Sequence, residues 1–307
     1  MNSKRVKKFF RLFGIIIFLF LIYNSDYNLI VSSLSSVKLN FIFYSLIFTP
    51  IFFSVKIFRW YYLLNKIGID YSFSNSIVTF GAGLYAGQVT PGQVGELTRG
   101  VFLGNRGYNY SLSIQSVIVD RILDLICLFL FAVPGLVLFS NIKLETIIFI
   151  MFLTILITII FILVIKKLHS RKSFKIISLT KELFLKFLES LNMLLQSLIN
   201  YKVGFLLILL TLLALILNLI RFYFIALALD LEIEILYFIF GTIFAMAVGI
   251  LPISILGIGT REAAYILVFN SLGLSNELAI AYSLLILIIC YLFNIIWGFP
   301  AWLMETK

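Results

Sequence analysis

The chain has 307 residues, 62% of them hydrophobic and 12% charged, with a net charge of +10 and a mean hydropathy of +1.11. A soluble domain would carry about twice that share of charge, so a soluble fold is excluded; so is a membrane β-barrel, whose apolar segments are short and alternating. The positive charge is the Lys/Arg bias expected on one side of a membrane protein, and no nucleic-acid partner is expected.

In chain order, the first apolar run is Phe9 to Tyr23. It follows Lys4, Arg5, Lys7 and Lys8, and no small-residue cleavage site comes after it. It reads as a retained first helix with a cytoplasmic N-terminus. Asn24 to Lys38 reads as an outer loop. Leu39 to Leu64 returns inward and ends among Lys56, Arg59 and Lys66, where Trp60, Tyr61 and Tyr62 suit an interfacial belt. Arg59 has two readings there, a snorkelling side chain or a functional one.

Ile77 to Gly107 is apolar at first, too short to span, and broken by Pro91 and several glycines. It reads as a re-entrant hairpin, which is tolerated at depth only where protein or water covers its backbone. Ser111 to Phe139 crosses outward, with Asp120, Arg121 and Asp124 inside the span. Asp120 and Asp124 share a face, and Arg121 can reach Asp124 three residues on. Thr146 to Ile165 crosses back.

A basic cytoplasmic segment at about 166–202 follows, including an amphipathic helix on the inner leaflet at Lys181 to Asn200. The one histidine, His169, reads as a solvated bystander in that run. Val203 to Leu229 crosses outward to the acidic stretch Asp230, Glu232 and Glu234. Ile235 to Leu272 is a second broken segment. Leu278 to Met304 crosses inward and leaves Lys307 in the cytoplasm.

The expected fold is therefore an all-α polytopic membrane protein of the cell membrane, with both termini cytoplasmic. It is a single domain, 1–307, with about six full transmembrane helices and two hairpins. Cys127 and Cys290 lie in apolar runs without metal-ligand spacing. No metal, cofactor or disulfide is expected.

The two broken segments also match each other. Arg59, Phe80, Pro91, Gly95 and Arg99 are answered by Arg221, Phe240, Pro252, Gly257 and Arg261, at offsets between 160 and 162. Both halves carry Gly-x-x-x-Arg. With the loop charges above, the halves run in opposite directions: repeat one at about 39–139 and repeat two at about 203–304. Paired broken helices in inverted repeats are a transporter signature, with the binding site near the midplane.

The candidate binding residues are Pro91, Gly92, Gly95, Glu96 and Arg99 in the first hairpin and Gly257, Gly259, Arg261 and Glu262 in the second. Asp120, Arg121 and Asp124 join them from the span between. Half-helix ends and arginines at that depth favour an anion, and a phosphate suits the guanidinium fork. A buried arginine costs at least ~2.5 kcal/mol unless paired or solvated. A second reading stands beside this one: Arg99 pairs internally with Glu96, and Arg261 with Glu262, Asp120 or Asp124. For the glycines, close packing between helices stands beside ligand approach.

Gln-Val-Thr-Pro-Gly-Gln-Val-Gly-Glu-Leu-Thr-Arg, the later Val-Asp-Arg-Ile-Leu-Asp-Leu and the second-hairpin Gly-Ile-Gly-Thr-Arg-Glu-Ala-Ala resemble the lysylphosphatidylglycerol synthase transmembrane-region family. That family includes the flippase domain of the bacterial multiple peptide resistance factor. The resemblance covers about residues 10 to 303. It implies lipid movement between leaflets, of aminoacylated phosphatidylglycerol in the best-known members and of polyprenyl-phosphate-linked sugars in relatives.

The sequence given ends without a soluble lipid-loading domain, so synthase activity is not expected of it alone. The expected function is a non-enzymatic flippase for an anionic, phosphate-containing lipid. Its expected partners are that lipid, a separate lipid-modifying enzyme and a second copy of the chain. A lipid-using membrane transferase and a small-anion secondary transporter are the alternatives; nothing marks Asp120 or Asp124 as a catalytic base.

Overall fold

A computed structural model describes residues 14–139, 201–251 and 254–306. The helix expected at Thr146 to Ile165, the amphipathic segment at Lys181 to Asn200, His169 and Pro252 lie outside the described residues.

The described chain is helical, with no strand among the described residues. Helix α1, Gly14–Tyr23, turns by 96° into α2, Tyr27–Ser35. The second of these corrects the loop expected at Asn24 to Lys38. Asp26 caps α2 by accepting from the Asn28 N–H at 2.8 Å. Its serines, which suggest a loop, bond back to carbonyls three and four residues earlier.

Long helix α3, Leu39–Lys66, leads to α4, Phe73–Gln88. A tight turn of 3₁₀ character, Pro91–Leu97, then leads to α5, Thr98–Asn105, and to the long α6, Tyr110–Phe139. After the undescribed stretch come α7, Tyr201–Ala228, α8, Ile235–Gly249, and α9, Thr260–Ser271. The last span, α10, Asn276–Glu305, contains a π-helical stretch at Leu287–Leu292. Helices α3, α6, α7 and α10 are each long and apolar enough to cross a membrane.

Helices α3 and α7 pack against each other along their length. They run antiparallel: the Lys38 N–H bonds the Ala228 carbonyl at one end, and Arg59 meets Thr211 further along. Helix α4 packs on the C-terminal half of α10, and α8 packs on α6. Small residues set the closeness of both contacts. A Cβ at Gly298 would stand 2.7 Å from the Gly81 carbonyl, and one at Gly135 would stand 2.4 Å from the Phe240 carbonyl. The returning helices complete the pattern, α5 against α6 and α9 against α10.

Polarity is arranged inside out. Phe43, Ile51, Ile126, Leu130, Phe205 and Ile216 are among many large apolar side chains on the outer surface. Arg59, Arg99, Arg221, Arg261, Asp120 and Glu262 are buried. A surface of that kind is stable only in lipid, because water would charge about 25 cal/mol for each Å² of exposed apolar area. The chain is a multi-pass membrane protein.

Candidate functional site

The polar interior is built first from α3. Arg59 is fully buried and donates to two neighbouring helices, α6 and α7. Nε donates to Asp120 Oδ1 at 2.9 Å, Nη1 to Asp124 Oδ1 at 2.7 Å and to Thr211 Oγ1 at 2.8 Å, and Nη2 to the Asp120 carbonyl at 3.2 Å. One turn earlier, Lys56 lies 2.9 Å from Asp124 Oδ2. Arg59 is thus no snorkelling side chain; α6 offers it two carboxylates four residues apart on one face.

The expected interfacial role of Trp60 is corrected as well. Its ring is fully buried, and its indole N–H donates to Ser116 Oγ at 3.3 Å. The Arg99 guanidinium lies 5.0 Å from the Trp60 ring and 4.6 Å from the Phe80 ring. A buried aromatic face stabilises a desolvated guanidinium by about 2 kcal/mol.

Arg99 Nη2 donates to Glu96 Oε2 at 3.0 Å and to Asp120 Oδ2 at 3.1 Å. Arg121 pairs with the other oxygen of Glu96, donates to Gln93 Oε1 at 3.0 Å, and lies 3.7 Å from Asp124. Lys56, Arg59, Arg99 and Arg121 therefore share Glu96, Asp120 and Asp124. This lattice ties the first hairpin to α3 and α6.

In the second hairpin, Arg261 Nε donates to Ser283 Oγ at 2.8 Å, Nη2 to Glu262 Oε1 at 3.0 Å, and Nη1 to the Leu256 carbonyl at 3.3 Å. Glu262 also accepts the Gly259 N–H at 2.5 Å and the Ser283 hydroxyl at 2.7 Å. The start of α9 is thus capped by its own carboxylate. Both expected hairpin pairs, Arg99 with Glu96 and Arg261 with Glu262, are present.

The two turns converge on one cavity of about 160 Å³. Gly92, Gln93 and Glu96 reach it from the first hairpin, and Ser254, Leu256 and Gly257 from the second. Its walls also include Lys56, Arg121 and Asp124. Pro91, Gly95, Arg99, Asp120, Gly259, Arg261 and Glu262 are not lining residues, although Arg99 bonds the wall residue Glu96 and Arg261 the wall residue Leu256; Pro252 falls outside the described residues.

At matching points the turns adopt left-handed backbone. Gln93 has φ of 56° and Leu256 of 58°, each beside a glycine of positive φ, Gly92 and Gly257. A non-glycine residue held there costs about 1–3 kcal/mol, and such strain gathers at functional sites.

Several cavity residues escape the sequence reading as site residues, Lys56, Gln93 and Ser254 among them, and Arg221 is another. Arg221 on α7 enters it only as the landmark that answers Arg59. It is 1% exposed and lines the cavity. The signal that could have found it is the uneven distribution of acid between two spans: α6 carries Asp120 and Asp124, whereas α10 has no Asp or Glu between Leu278 and Met304.

The family profile of the lysylphosphatidylglycerol synthase TM region matches residues 10–298. The chain belongs to this family. The match takes in both hairpins, the ion-pair lattice and every described wall of the cavity, and it connects the protein with a membrane-lipid-related function. No curated protein matches the chain in sequence.

The hairpin ends are held by a further polar group. Arg106 Nη2 donates to Glu305 Oε2 at 2.9 Å, and its Nη1 donates to the Tyr71 hydroxyl. Tyr71 lies 2.7 Å from Thr79 Oγ1, which donates to Glu305 Oε1 at 2.5 Å. Burial pushes the Tyr71 phenol above its usual range, so it stays protonated and can donate to Thr79. The ring so closed clasps α4, α5 and the end of α10. At the opposite end of the bundle, Lys38 pairs with Asp230 at 2.6 Å.

Proposed function

We propose that the protein moves an anionic, phosphate-bearing lipid between the leaflets of the cell membrane, without catalysing a covalent reaction. The observation that carries this reading is a cavity lined by both hairpin turns, inside a bundle whose packing survives exchange of its halves. Exchanging α3, α4, α5 and α6 with α7, α8, α9 and α10 turns the α4–α10 contact into the α8–α6 contact, and α5–α6 into α9–α10. The antiparallel α3–α7 pair maps onto itself. This exchange supports reading the bundle as an inverted repeat with two re-entrant hairpins, and such repeats expose a central site alternately by rocking.

The headgroup would enter the cavity while the acyl chains stay along the apolar outer faces. Polar walls at Lys56, Gln93 and Arg121 stand beside apolar ones at Leu84, Leu128 and Leu215. The clasp at Arg106 and Glu305 and the Lys38–Asp230 pair lie at opposite ends, as two gates would, with the clasp on the cytoplasmic side. An aminoacylated lipid would come from a separate lipid-modifying enzyme.

A transferase reading fits less well. The cavity carboxylates Glu96 and Asp124 are both ion-paired, whereas a general base needs a carboxylate free to take a proton.

The test is lipid movement in proteoliposomes. With fluorescent phosphatidylglycerol in both leaflets, dithionite should quench about half of the signal in protein-free vesicles and nearly all of it with protein. Quenching that stays at half with folded, inserted protein would sink the reading.

A further inference from the structure

Six cations surround the cavity or stand behind its wall: Lys56, Arg59, Arg99, Arg121, Arg221 and Arg261. Four carboxylates answer them: Glu96, Asp120, Asp124 and Glu262. Two positive charges are left over in the described interior. Arg59, Arg99, Arg121 and Arg261 each pair with at least one carboxylate, and Lys56 with Asp124. Arg221 pairs with none among the described residues; its one hydrogen-bond partner is Asn218, whose Oδ1 accepts from Nη1 at 3.1 Å.

The atoms left over at Arg221 are specific. Nε and Nη2 are buried without a hydrogen-bond partner. These two nitrogens form one edge of the guanidinium, the edge that binds two oxygens of a phosphate or carboxylate side by side. At Arg99 the unpartnered atoms are Nε and Nη1, which do not share an edge. A buried cationic fork left unmade is expensive and calls for a partner. The Arg221 guanidinium lies 4.9 Å from the Phe52 ring, and Phe52 itself lines the cavity.

We propose that Arg221 is the phosphate-binding residue of the cavity, its Nε–Nη2 edge gripping two oxygens of a phosphate once Phe52 swings aside. In assigning that phosphate to a lipid headgroup the proposal rests on the translocation reading; a free phosphate ion has the same chemistry. Repeat two then differs from repeat one in purpose. Where Arg59 meets two resident carboxylates, Arg221 waits for the negative charge that the ligand brings.

The test uses the purified full chain in an uncharged detergent, with its unfolding temperature followed by tryptophan fluorescence. Phosphatidylglycerol, phosphatidylcholine and inorganic phosphate are the added probes. Phosphatidylglycerol or inorganic phosphate should raise the wild-type unfolding temperature in a dose-dependent way, and by more than phosphatidylcholine does. A rise with inorganic phosphate alone assigns the site to the free ion, and a rise with phosphatidylglycerol alone assigns it to the headgroup. Arg221→Gln should lose the rise, and Arg221→Lys, which keeps the charge but not the fork, should need at least tenfold more probe.

Asn218→Asp guards against a purely structural role. A carboxylate placed against Nη1 should raise the unfolding temperature of the unliganded protein while weakening the probe response at least tenfold. A wild-type response in Arg221→Gln or Asn218→Asp, or no response of the wild type to either anionic probe, overturns the proposal. The two readings fail separately. An Arg221-dependent rise without lipid movement in proteoliposomes leaves the site and removes translocation; lipid movement with a rise indifferent to Arg221 does the reverse.

Discussion

Gly83 lies directly beneath Arg99: a Cβ at residue 83 would stand 2.2 Å from Arg99 Cγ and 2.8 Å from its Cδ. The arginine is pinned from above by Glu96 and Asp120 and from the sides by Trp60 and Phe80. It has no room to yield. Gly83→Ala should therefore destabilise the protein by about 1–3 kcal/mol through overpacking, read as a lowered unfolding temperature in detergent. An unchanged temperature would mean that the first hairpin is looser than the contact implies.

Asp120 is 1% exposed and accepts from both Arg59 and Arg99. Asp120→Asn removes the carboxylate shared by two buried guanidinium groups, leaving Arg59 with Asp124 and Arg99 with Glu96, and should cost about 3 kcal/mol. Asp230→Asn breaks an ion pair whose side chains are 47% and 77% exposed, and should cost under about 1 kcal/mol. Thermal unfolding of the two variants side by side checks the ranking. Equal losses would contradict the placement of Asp120 in the centre of the lattice.

Much of this was legible in the sequence because the signals are local. Apolar runs of about 20 residues mark the spans, and glycine with proline marks the two hairpins. The i,i+3 spacing of Glu96 with Arg99 and of Arg121 with Asp124 points to pairs that the fold contains. Arg59 was harder: its partners lie 61 and 65 residues away, and no local spacing announces them. Trp60 beside two tyrosines has the composition of an interfacial belt, and only its tertiary contacts with Ser116 and Arg99 reveal a buried role. Helix α2 was hidden by its serines and its nine-residue length, too short for apolar periodicity to stand out.

The clasp of Arg106, Tyr71, Thr79 and Glu305 should control access to the cavity from its end of the bundle. Cys127 and Cys290, the protein's two cysteines, both line that cavity and report on it. In a Cys290→Ser background, Glu305→Gln should raise the rate of Cys127 labelling by a water-soluble maleimide several-fold. The paired Lys38→Ala variant tells the two ends apart when the reagent is supplied from one side only. Labelling indifferent to Glu305 would remove the clasp as a gate.

The central claim is that the lipid headgroup passes through the cavity between the two hairpin turns. Cys127 allows that cavity to be blocked without disturbing the ion-pair lattice, since its thiol takes no part in those pairs. The decisive measurement is phosphatidylglycerol movement in proteoliposomes before and after complete maleimide modification of Cys127 in the Cys290→Ser protein, with the protein lacking both cysteines as control. Passage through the cavity predicts that modification stops movement in the first protein and leaves the second unchanged. Full-rate movement after complete modification would contradict it.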